Sequence, residues 1–184
     1  MEAVDPAGID DLVDCLVRLR NRGGRLFLAG NGGGAAHAAH AACDFRKLSG
    51  IESYSPSDNP ASLTAWANDA GWNSSYVGWL RESRLARPDA LMAISVGGGD
   101  EDRQVSGNLV EALRFAREVG AMILAVVGRD GGYAAALSNA AVIIPPLYPE
   151  HVTAHTEWCQ SLVLHLLATA PELQTNRPKW ESLQ

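Results

Sequence analysis

Residues 26–44 read Leu-Phe-Leu-Ala-Gly-Asn-Gly-Gly-Gly-Ala-Ala-His-Ala-Ala-His-Ala-Ala-Cys-Asp, and the fold is organised around them. The apolar start predicts a buried strand, and the glycines that follow predict a loop able to take positive φ. The alanine-rich remainder predicts a helix. A strand, a glycine loop and a helix in this order aim backbone N–H groups and the positive end of the helix dipole at an anion. The stretch therefore indicates an anion site with polar side chains one turn into the helix.

The remaining chain repeats this alternation of strand and helix. Three further apolar runs predict strands, at 90–95, 122–128 and 141–146, and residues 51–55 are a candidate for another strand. Such an alternation forms a parallel sheet with helices on both faces. We therefore expect a three-layer α/β fold, a doubly wound five-stranded parallel sheet.

Local signals set the helix boundaries. A helix that starts after Asn59-Pro60 is expected to break at 68–71, and another is expected over 74–85. Ser106 is expected to be the N-cap of a helix over 108–119.

A chain of 184 residues predicts one domain over 1–184, long enough to bury a good core. Residues 1–24 predict a helix that Gly23-Gly24 ends. Because this helix precedes the first strand and needs a surface to pack on, we expect it at an oligomer interface. The tail, 171–184, is expected to be a loop or an arm that contacts a partner.

Charge and cysteine content narrow the function classes. A net charge of −6 argues against nucleic acid as the main partner, although a glycine loop can bind phosphate without net positive charge. Cys15, Cys43 and Cys159 have no paired spacing, which is typical of a reducing cytoplasm. No apolar run is long enough to span a membrane, and the acidic start is not typical of a signal peptide. We expect a cytoplasmic protein with no membrane partner.

A second glycine loop, 97–99, follows the strand at 90–95. Open α/β sheets bind ligands beyond the carboxyl ends of their strands, so we expect both loops at one ligand site. Glycine turns also follow strands where nothing binds, and two triple-glycine loops favour the ligand site over this alternative. Neither loop continues as Gly-Lys-Ser/Thr or fits a dinucleotide fingerprint, so we expect no nucleotide cofactor.

Titratable side chains lie on two predicted helices. His37, His40 and Asp44 follow the first loop, and Glu157 and His165 lie on the last helix. Imidazoles and carboxylates ligate divalent metals or move protons near neutral pH. The alternative is a solvated helix face, and for His165, among leucines, spacing alone favours a buried core histidine. His40 favours function, because its alanine neighbours leave open space around the ring.

The spacing of Glu157 and His165 adds a constraint. Eight residues span about 12 Å along a helix. Two ligands of one Zn²⁺ lie only roughly 3–4 Å apart, since each metal–ligand bond is about 2 Å. Either the two side chains converge strongly or they come from different subunits, so oligomerisation becomes part of the hypothesis.

Several motifs in a fixed order resemble the sugar isomerase (SIS) domain family, and within it the phosphoheptose isomerases. They are Gly30-Asn31-Gly32-Gly33 with His40, Asn68-Asp69, the strand ending at Ser95 with its glycine loop, Gly128-Arg129-Asp130-Gly131-Gly132, and Glu157 with His165. The resemblance covers most of the chain. It implies a five-stranded parallel sheet, a homotetramer with active sites between subunits, and conversion of D-sedoheptulose 7-phosphate to D-glycero-D-manno-heptose 7-phosphate.

The resemblance also implies roles for residues. Asp44 matches the base that moves a proton between two carbons through a cis-enediol, His165 matches its acid/base partner, and Asp69 matches an aspartate near substrate hydroxyls. The phosphosugar is implied to bind both loops, at Asn31, Gly32, Gly33, Gly34, Ser95, Gly97, Gly98, Gly99 and Ser106. Some members bind zinc, and the matching ligands are His40, Asp44, Glu157 and His165.

The chain departs from the family pattern at four places. The first loop ends in Gly34 where serine is usual, and the second loop lacks the usual hydroxyls and carries about six extra residues. Asp44 stands where glutamate is usual. Glu157 stands where glutamine is usual, which adds a negative charge and favours a bound cation. Contacts that compensate for the lost hydroxyls are expected from backbone N–H groups, Ser95, Ser106 and Arg103.

Two other functions stay open at this point. One is a non-catalytic SIS module that binds a protein partner or senses a sugar phosphate, which the missing hydroxyls favour and the retained carboxylates and histidines oppose. The other is an isomerase or epimerase for a different sugar, with the enlarged second loop remodelling the pocket.

Overall fold

A five-stranded parallel sheet lies between two layers of helices in the computed structural model, which describes residues 4–183. The strands are β1 (Leu26–Ala29), β2 (Ser53–Tyr54), β3 (Ala90–Ser95), β4 (Met122–Gly128) and β5 (Ala140–Ile144). The helices are α1 (Pro6–Asn21), α2 (Gly33–Leu48), α3 (Pro60–Ala70), α4 (Ser74–Glu82), α5 (Gly107–Glu118), α6 (Gly132–Leu137) and α7 (Val152–Ala168). Short 3₁₀ turns at Pro149–His151 and Glu181–Leu183 complete these elements.

The strand order is β2-β1-β3-β4-β5, with every neighbouring pair parallel. This confirms the predicted doubly wound sheet. β1 and β3 are neighbours, but the chain leaves β1 toward α2 on one face and leaves β3 toward α5 on the other. A crevice opens where such connections diverge, and it is the usual ligand site of this architecture.

Each face of the sheet has its own apolar core. The core under α1, α2 and α7 includes Leu16, Phe45 and Val163, all fully buried. The core under α4, α5 and α6 includes Tyr76 and Leu113. The central strands bury residues on both faces, which explains why they read as continuous apolar runs.

Two predicted helix boundaries are wrong. α3 continues through Asn68 and Asp69 to Ala70, and Gly71, at φ +83°, ends it instead. α4 stops at Glu82 rather than at 85. Ser106 is the N-cap residue of α5, as predicted, although its backbone is left-handed and its side chain makes no capping hydrogen bond.

The chain itself covers the apolar face of α1. Leu12, Leu16 and Leu19 are buried in the core shared with α2 and α7, so the packing of α1 requires no partner subunit. An interface at 1–24 stays a prediction, and Met1–Ala3 lie outside the described residues.

The tail after α7 is tied down at its start. The Arg20 guanidinium donates to the backbone carbonyls of Glu172 and Leu173, and Thr175 N donates to Leu48 O at 2.7 Å.

α7 is the longest of the described helices, at 17 residues. Within residues 4–183, no helix has both the length and the apolar character needed to cross a bilayer.

Glycines lock the loops after β3 and β4 together. Gly98 has φ +72°, and a Cβ there would overlap the carbonyl oxygen of Gly131. Tyr133 N and Ala134 N donate to Gly99 O and Gly98 O at 3.0 and 2.9 Å. This contact fixes the carboxyl edge of the sheet where the candidate site lies.

Gly98→Ala is expected to destabilise the fold by more than the roughly 1–3 kcal/mol of a positive φ alone, because the new methyl group meets backbone. Gly23→Ala is the matched control, since Gly23 has φ +68° and open space around it. Urea unfolding measures both variants. Equal losses in the two would contradict the backbone contact.

Candidate active site

A cavity of about 250 Å³ opens beyond the carboxyl ends of β1, β3 and β4, and we call it the strand-end cavity. Three loops supply its lining: Asn31, Gly34, Ser95, Val96, Gly97, Gly99, Val105, Ser106 and Arg129. Six of the nine predicted substrate-binding residues are among them. The cavity lies in the crevice between β1 and β3, where the topology predicts a ligand.

The other three predicted binding residues shape the loops. Gly32 has φ 57° and ψ −121°, a conformation that glycine takes more readily than other residues. Gly33 packs against the Glu157 carboxylate, and Gly98 is buried against Gly131. Gly98 allows backbone to approach backbone, and none of the three glycines lines the cavity.

Gly34 has a physical reason to lack a side chain. A Cβ at Gly34 would overlap the carbonyl oxygen of Ile94, at the end of β3. The first loop therefore lies too close to β3 for the serine that the family usually carries at this position.

Asn31 is committed to a network beneath the cavity. Its amide pairs reciprocally with the amide of fully buried Asn108, with both N···O distances 2.9 Å. The Tyr76 hydroxyl donates to Gly30 O and to Asn31 Oδ1. The network joins the first glycine loop to α4 and α5. Sequence analysis missed Tyr76 and Asn108; the Ser106-Gly107-Asn108 triplet beside the second loop was an available signal for Asn108.

Two hydroxyl groups face the strand-end cavity. Ser95 Oγ accepts from Gly98 N at 3.1 Å, which leaves its proton for a ligand. The Ser106 hydroxyl caps no helix N–H, so it is also available.

Arg103, predicted to assist the two hydroxyls, does not line the cavity. Its Nε lies 3.7 Å from Asp100 Oδ2 on the hairpin that extends the second loop. The cation in the lining is Arg129, which sequence analysis quoted only as part of a motif.

A second group of polar residues lies between α2 and α7, and we call it the α2–α7 cluster. His40 Nε2 and His165 Nδ1 lie 3.2 and 3.3 Å from the same oxygen, Asp44 Oδ2. The two rings meet edge to face at 5.1 Å. One ligand atom from each residue lies within 4.8 Å of the others, a spacing that a single metal ion can bridge.

The cluster is open to solvent on one side. The His40 and His165 side chains are 63% and 51% exposed, whereas Asp44 is 20% exposed. The core interpretation of His165 is therefore wrong, because the residue faces outward between its buried leucine neighbours. A cavity of about 170 Å³ beside the cluster is lined by Ala36, His37, His40, Ala41, Ser161, Leu164 and His165.

Glu157 does not join the cluster in this chain. Its carboxylate lies against Gly33, at the first turn of α2, while His165 meets Asp44 farther along. α2 and α7 therefore run side by side in the same direction, and the eight-residue spacing separates the two α7 side chains as the helix rise requires. Of the four predicted metal ligands, the structure brings three together.

Asp69 lies away from both groups. It is exposed on α3, and its carboxylate accepts a hydrogen bond from neighbouring Asn68 at 2.7 Å. Within residues 4–183, no hydrogen bond or ion pair joins Asp69 to the strand-end cavity or to the α2–α7 cluster.

The arrangement combines an anion-binding crevice with a proton-active cluster. The crevice offers backbone N–H groups, two hydroxyls and a guanidinium. The cluster offers one carboxylate and two imidazoles, the groups that move protons near neutral pH or hold a divalent metal. α2 begins at the crevice and carries His40 and Asp44 of the cluster.

Comparisons with known proteins identify relatives of this chain. No protein-family model matches the chain. It is 31% identical over 147 residues to a phosphoheptose isomerase from Pelobacter propionicus, covering 77% of this chain and 74% of that protein. It is 35% identical over 154 residues to the lincomycin biosynthesis protein LmbN from Streptomyces lincolnensis, covering 80% of this chain but only 56% of LmbN.

A solved structure shares the architecture. Phosphoheptose isomerase GmhA from Neisseria gonorrhoeae superposes with a TM-score of 0.74 at 27% sequence identity, covering 88% of this chain and 83% of that one.

Tyr76→Phe is expected to weaken the fold most at neutral pH. Burial raises the pKa of Tyr76 to about 12, so the folded state keeps a proton that the unfolded chain releases near pH 10. The contribution of the Tyr76 hydroxyl to the free energy of unfolding is complete below pH 10 and is lost as the pH rises toward 12. The native protein should have a larger free energy of unfolding than the variant. This difference should shrink by roughly 1.4 kcal/mol between neutral pH and a pH one unit above the pKa of Tyr76 in the unfolded chain.

Urea unfolding across this pH range measures the deficit. Tyr148→Phe is the control, since Tyr148 is 55% exposed and should show little change. A Tyr76→Phe deficit that is independent of pH would contradict the burial of the Tyr76 hydroxyl.

Proposed function

The chain belongs to the phosphoheptose isomerase family, and we propose that it interconverts D-sedoheptulose 7-phosphate and D-glycero-D-manno-heptose 7-phosphate. It is an isomerase that acts on a phosphosugar. The observation that carries the finer proposal is the path along α2, from the strand-end cavity at its first turn to His40 and Asp44 on its second and third. A phosphate held in the cavity would extend the sugar chain toward the cluster.

The phosphate is proposed to bind at the loops. Ser95 and Ser106 donate hydroxyl protons, and backbone N–H groups of the glycine loops supply further donors. The reciprocal amide pair of Asn31 and Asn108 keeps the first loop in place without using the cavity's own donors.

Asp44 is proposed as the base. Its Oδ2 faces both histidines, and its Oδ1 accepts no hydrogen bond from the described residues. Oδ1 can therefore take the proton from the carbon beside the carbonyl, which gives a cis-enediol, and return it to the neighbouring carbon. A carboxylate suits this role because it can reach either carbon with little movement.

His165 is proposed as the group that moves the second proton. Its Nδ1 lies 3.3 Å from Asp44 Oδ2, and its half-exposed side chain lines the cavity beside the cluster. An imidazole near neutral pH can give a proton to one substrate oxygen and accept one from the next. His40, on the other side of the same carboxylate oxygen, holds Asp44 in place.

The α2–α7 cluster also fits zinc. Two imidazole nitrogens and one carboxylate oxygen within 4.8 Å of one another form a donor set that Zn²⁺ prefers. The ligands would be His40, Asp44 and His165. A bound Zn²⁺ would polarise the oxygens of the reacting carbons. Glu157, as a fourth ligand, would have to move from Gly33.

A homotetramer in the cytoplasm is part of the proposal. Asp69 is exposed on α3 without a contact to the site of its own chain, so a role near substrate hydroxyls requires a neighbouring subunit. Light scattering tests this; a 19.6 kDa monomer at working concentrations would contradict it.

An isomerase for a different phosphosugar is the second candidate. The extended second loop forms a hairpin, with Asp100 and Val105 paired by two backbone hydrogen bonds, and half-exposed Val105 lines the strand-end cavity. An apolar wall there changes the shape that a sugar meets. The 35% identity to a lincomycin biosynthesis protein supports a member of the family that serves a different product.

The purified protein is expected to convert sedoheptulose 7-phosphate to the aldose in an NMR assay. In D₂O, deuterium should appear at the carbon beside the new aldehyde, because an enediol exchanges its proton with solvent. Asp44→Asn should lower kcat by roughly 10²- to 10⁴-fold, the usual contribution of a positioned base. Asp11→Asn, exposed on α1, is the control and should stay fully active.

Turnover of another phosphosugar in place of this one would move the assignment to the second candidate. Full activity of Asp44→Asn would contradict its role as base. No turnover of any phosphosugar, with or without Zn²⁺, would refute the substrate proposal.

Chelator-treated protein is expected to bind one Zn²⁺ per chain in a calorimetric titration. His40→Ala and His165→Ala should each weaken binding at least roughly 10-fold, because each removes one nitrogen ligand. His151→Ala is the control, since this exposed histidine precedes α7 outside the cluster. Unchanged affinity in the two cluster variants would overturn the assignment.

A further inference from the structure

We propose that Arg129 is the cation that grips the phosphoryl group of the substrate, in place of the loop hydroxyls that this chain lacks. The inference rests on the proposed phosphosugar reaction and deepens it. It assigns a binding residue that the sequence pattern does not mark.

Arg129 occupies a constrained position at the edge of the sheet. It directly follows β4, and its backbone is left-handed at φ +55°. Gly128 N donates to Val96 O at 3.1 Å, and Gly131 N closes a turn back to Gly128 O at 3.0 Å. These bonds fix the backbone on both sides of Arg129, so the base of its side chain is held against the second glycine loop.

The Arg129 side chain lines the strand-end cavity. A Cβ on Gly97 would lie 3.8 Å from Arg129 Cδ and 3.9 Å from its Nη1, which is ordinary van der Waals contact. The guanidinium therefore lies over the backbone of the second loop, on the same cavity wall as Ser95 and Ser106.

Arg129 has no carboxylate partner in the described part of the chain. Other arginines near this edge are paired: Arg114 lies 2.6 Å from both Glu101 and Glu111, and Arg103 lies 3.7 Å from Asp100. A guanidinium that has no carboxylate partner and lies in a cavity lined by hydrogen-bond donors is placed to bind an anion. The cavity lining contains no carboxylate.

The chemistry of the cavity favours such a cation. Between Ser95 and Ser106 the second loop has no hydroxyl side chain, and the backbone contact with Ile94 excludes one at Gly34. A phosphate monoester carries close to two negative charges, and two hydroxyls with backbone N–H groups leave most of that charge unmatched. A guanidinium presents paired N–H donors that match phosphate oxygens and keeps its charge at every working pH.

Arg129→Met is the primary test, with inorganic phosphate and sedoheptulose 7-phosphate as probes. The variant should raise KM for the phosphosugar about 10- to 100-fold, the factor expected for losing a charge-assisted hydrogen-bond pair, with kcat changed far less. Calorimetry should show inorganic phosphate binding weakened by a similar factor. Arg129→Lys should recover part of the loss, and unphosphorylated sedoheptulose should show no difference among the variants.

Arg87→Met is the matched control, because Arg87 is an exposed arginine that precedes β3 at the opposite edge of the sheet. Circular dichroism checks that each variant is folded. If the native protein turns over the phosphosugar but Arg129→Met changes KM and phosphate binding less than Arg87→Met does, the inference is overturned and the proposed reaction stands. If turnover is absent but phosphate binding depends on Arg129, the reaction fails and the inference stands. Native protein that binds no phosphate would overturn the inference as well.

Discussion

The site depends on one constraint, the approach of three loops at backbone contact distance. Side chains at Gly30 and Gly34 would overlap the Ile94 carbonyl, and one at Gly98 would overlap the Gly131 carbonyl. Because these positions carry no Cβ, the ends of β1, β3 and β4 close around a single small cavity. The same closeness removes the space for a hydroxyl side chain at Gly34. A binding site built in this way must take its donors from the backbone, from Ser95 and Ser106 at the ends of the second loop, and from a long side chain that reaches in from a neighbouring loop.

α2 couples this cavity to the chemistry. It begins at the first glycine loop and carries His40 and Asp44 on the face that meets α7. α7 runs beside it in the same direction, so Glu157 lies at the first turn of α2 and His165 lies at the carboxylate of Asp44. A helix is a rigid spacer, and its rise sets the separation between a bound phosphate and the proton-active groups. The buried amides of Asn31 and Asn108 and the Tyr76 hydroxyl hold the start of that spacer in place.

Much of this was predictable from sequence, for physical reasons that differ by residue. Continuous apolar runs identify buried parallel strands, so the sheet followed from pattern alone. The convergence of the two glycine loops followed from topology. Other features depend on tertiary contact. Whether His165 points into the core or into a cleft is set by which face of α7 meets α2, and periodicity among leucines does not reveal it. Arg103 was expected to assist the loop hydroxyls, but the hairpin from Asp100 to Val105 places it beside Asp100, whereas Arg129, directly after β4, lines the cavity.

The central claim is that one substrate occupies the strand-end cavity and the α2–α7 cluster of the same chain. A crystal structure with the bound phosphosugar tests it most directly. The phosphorus should lie in the cavity beside Ser95 and Arg129, and the carbonyl carbon beside Asp44, with the two about 10 Å apart along α2, as expected from a rise of about 1.5 Å per residue. A phosphate bound outside the cavity, or a sugar chain that leads away from Asp44, would contradict the account.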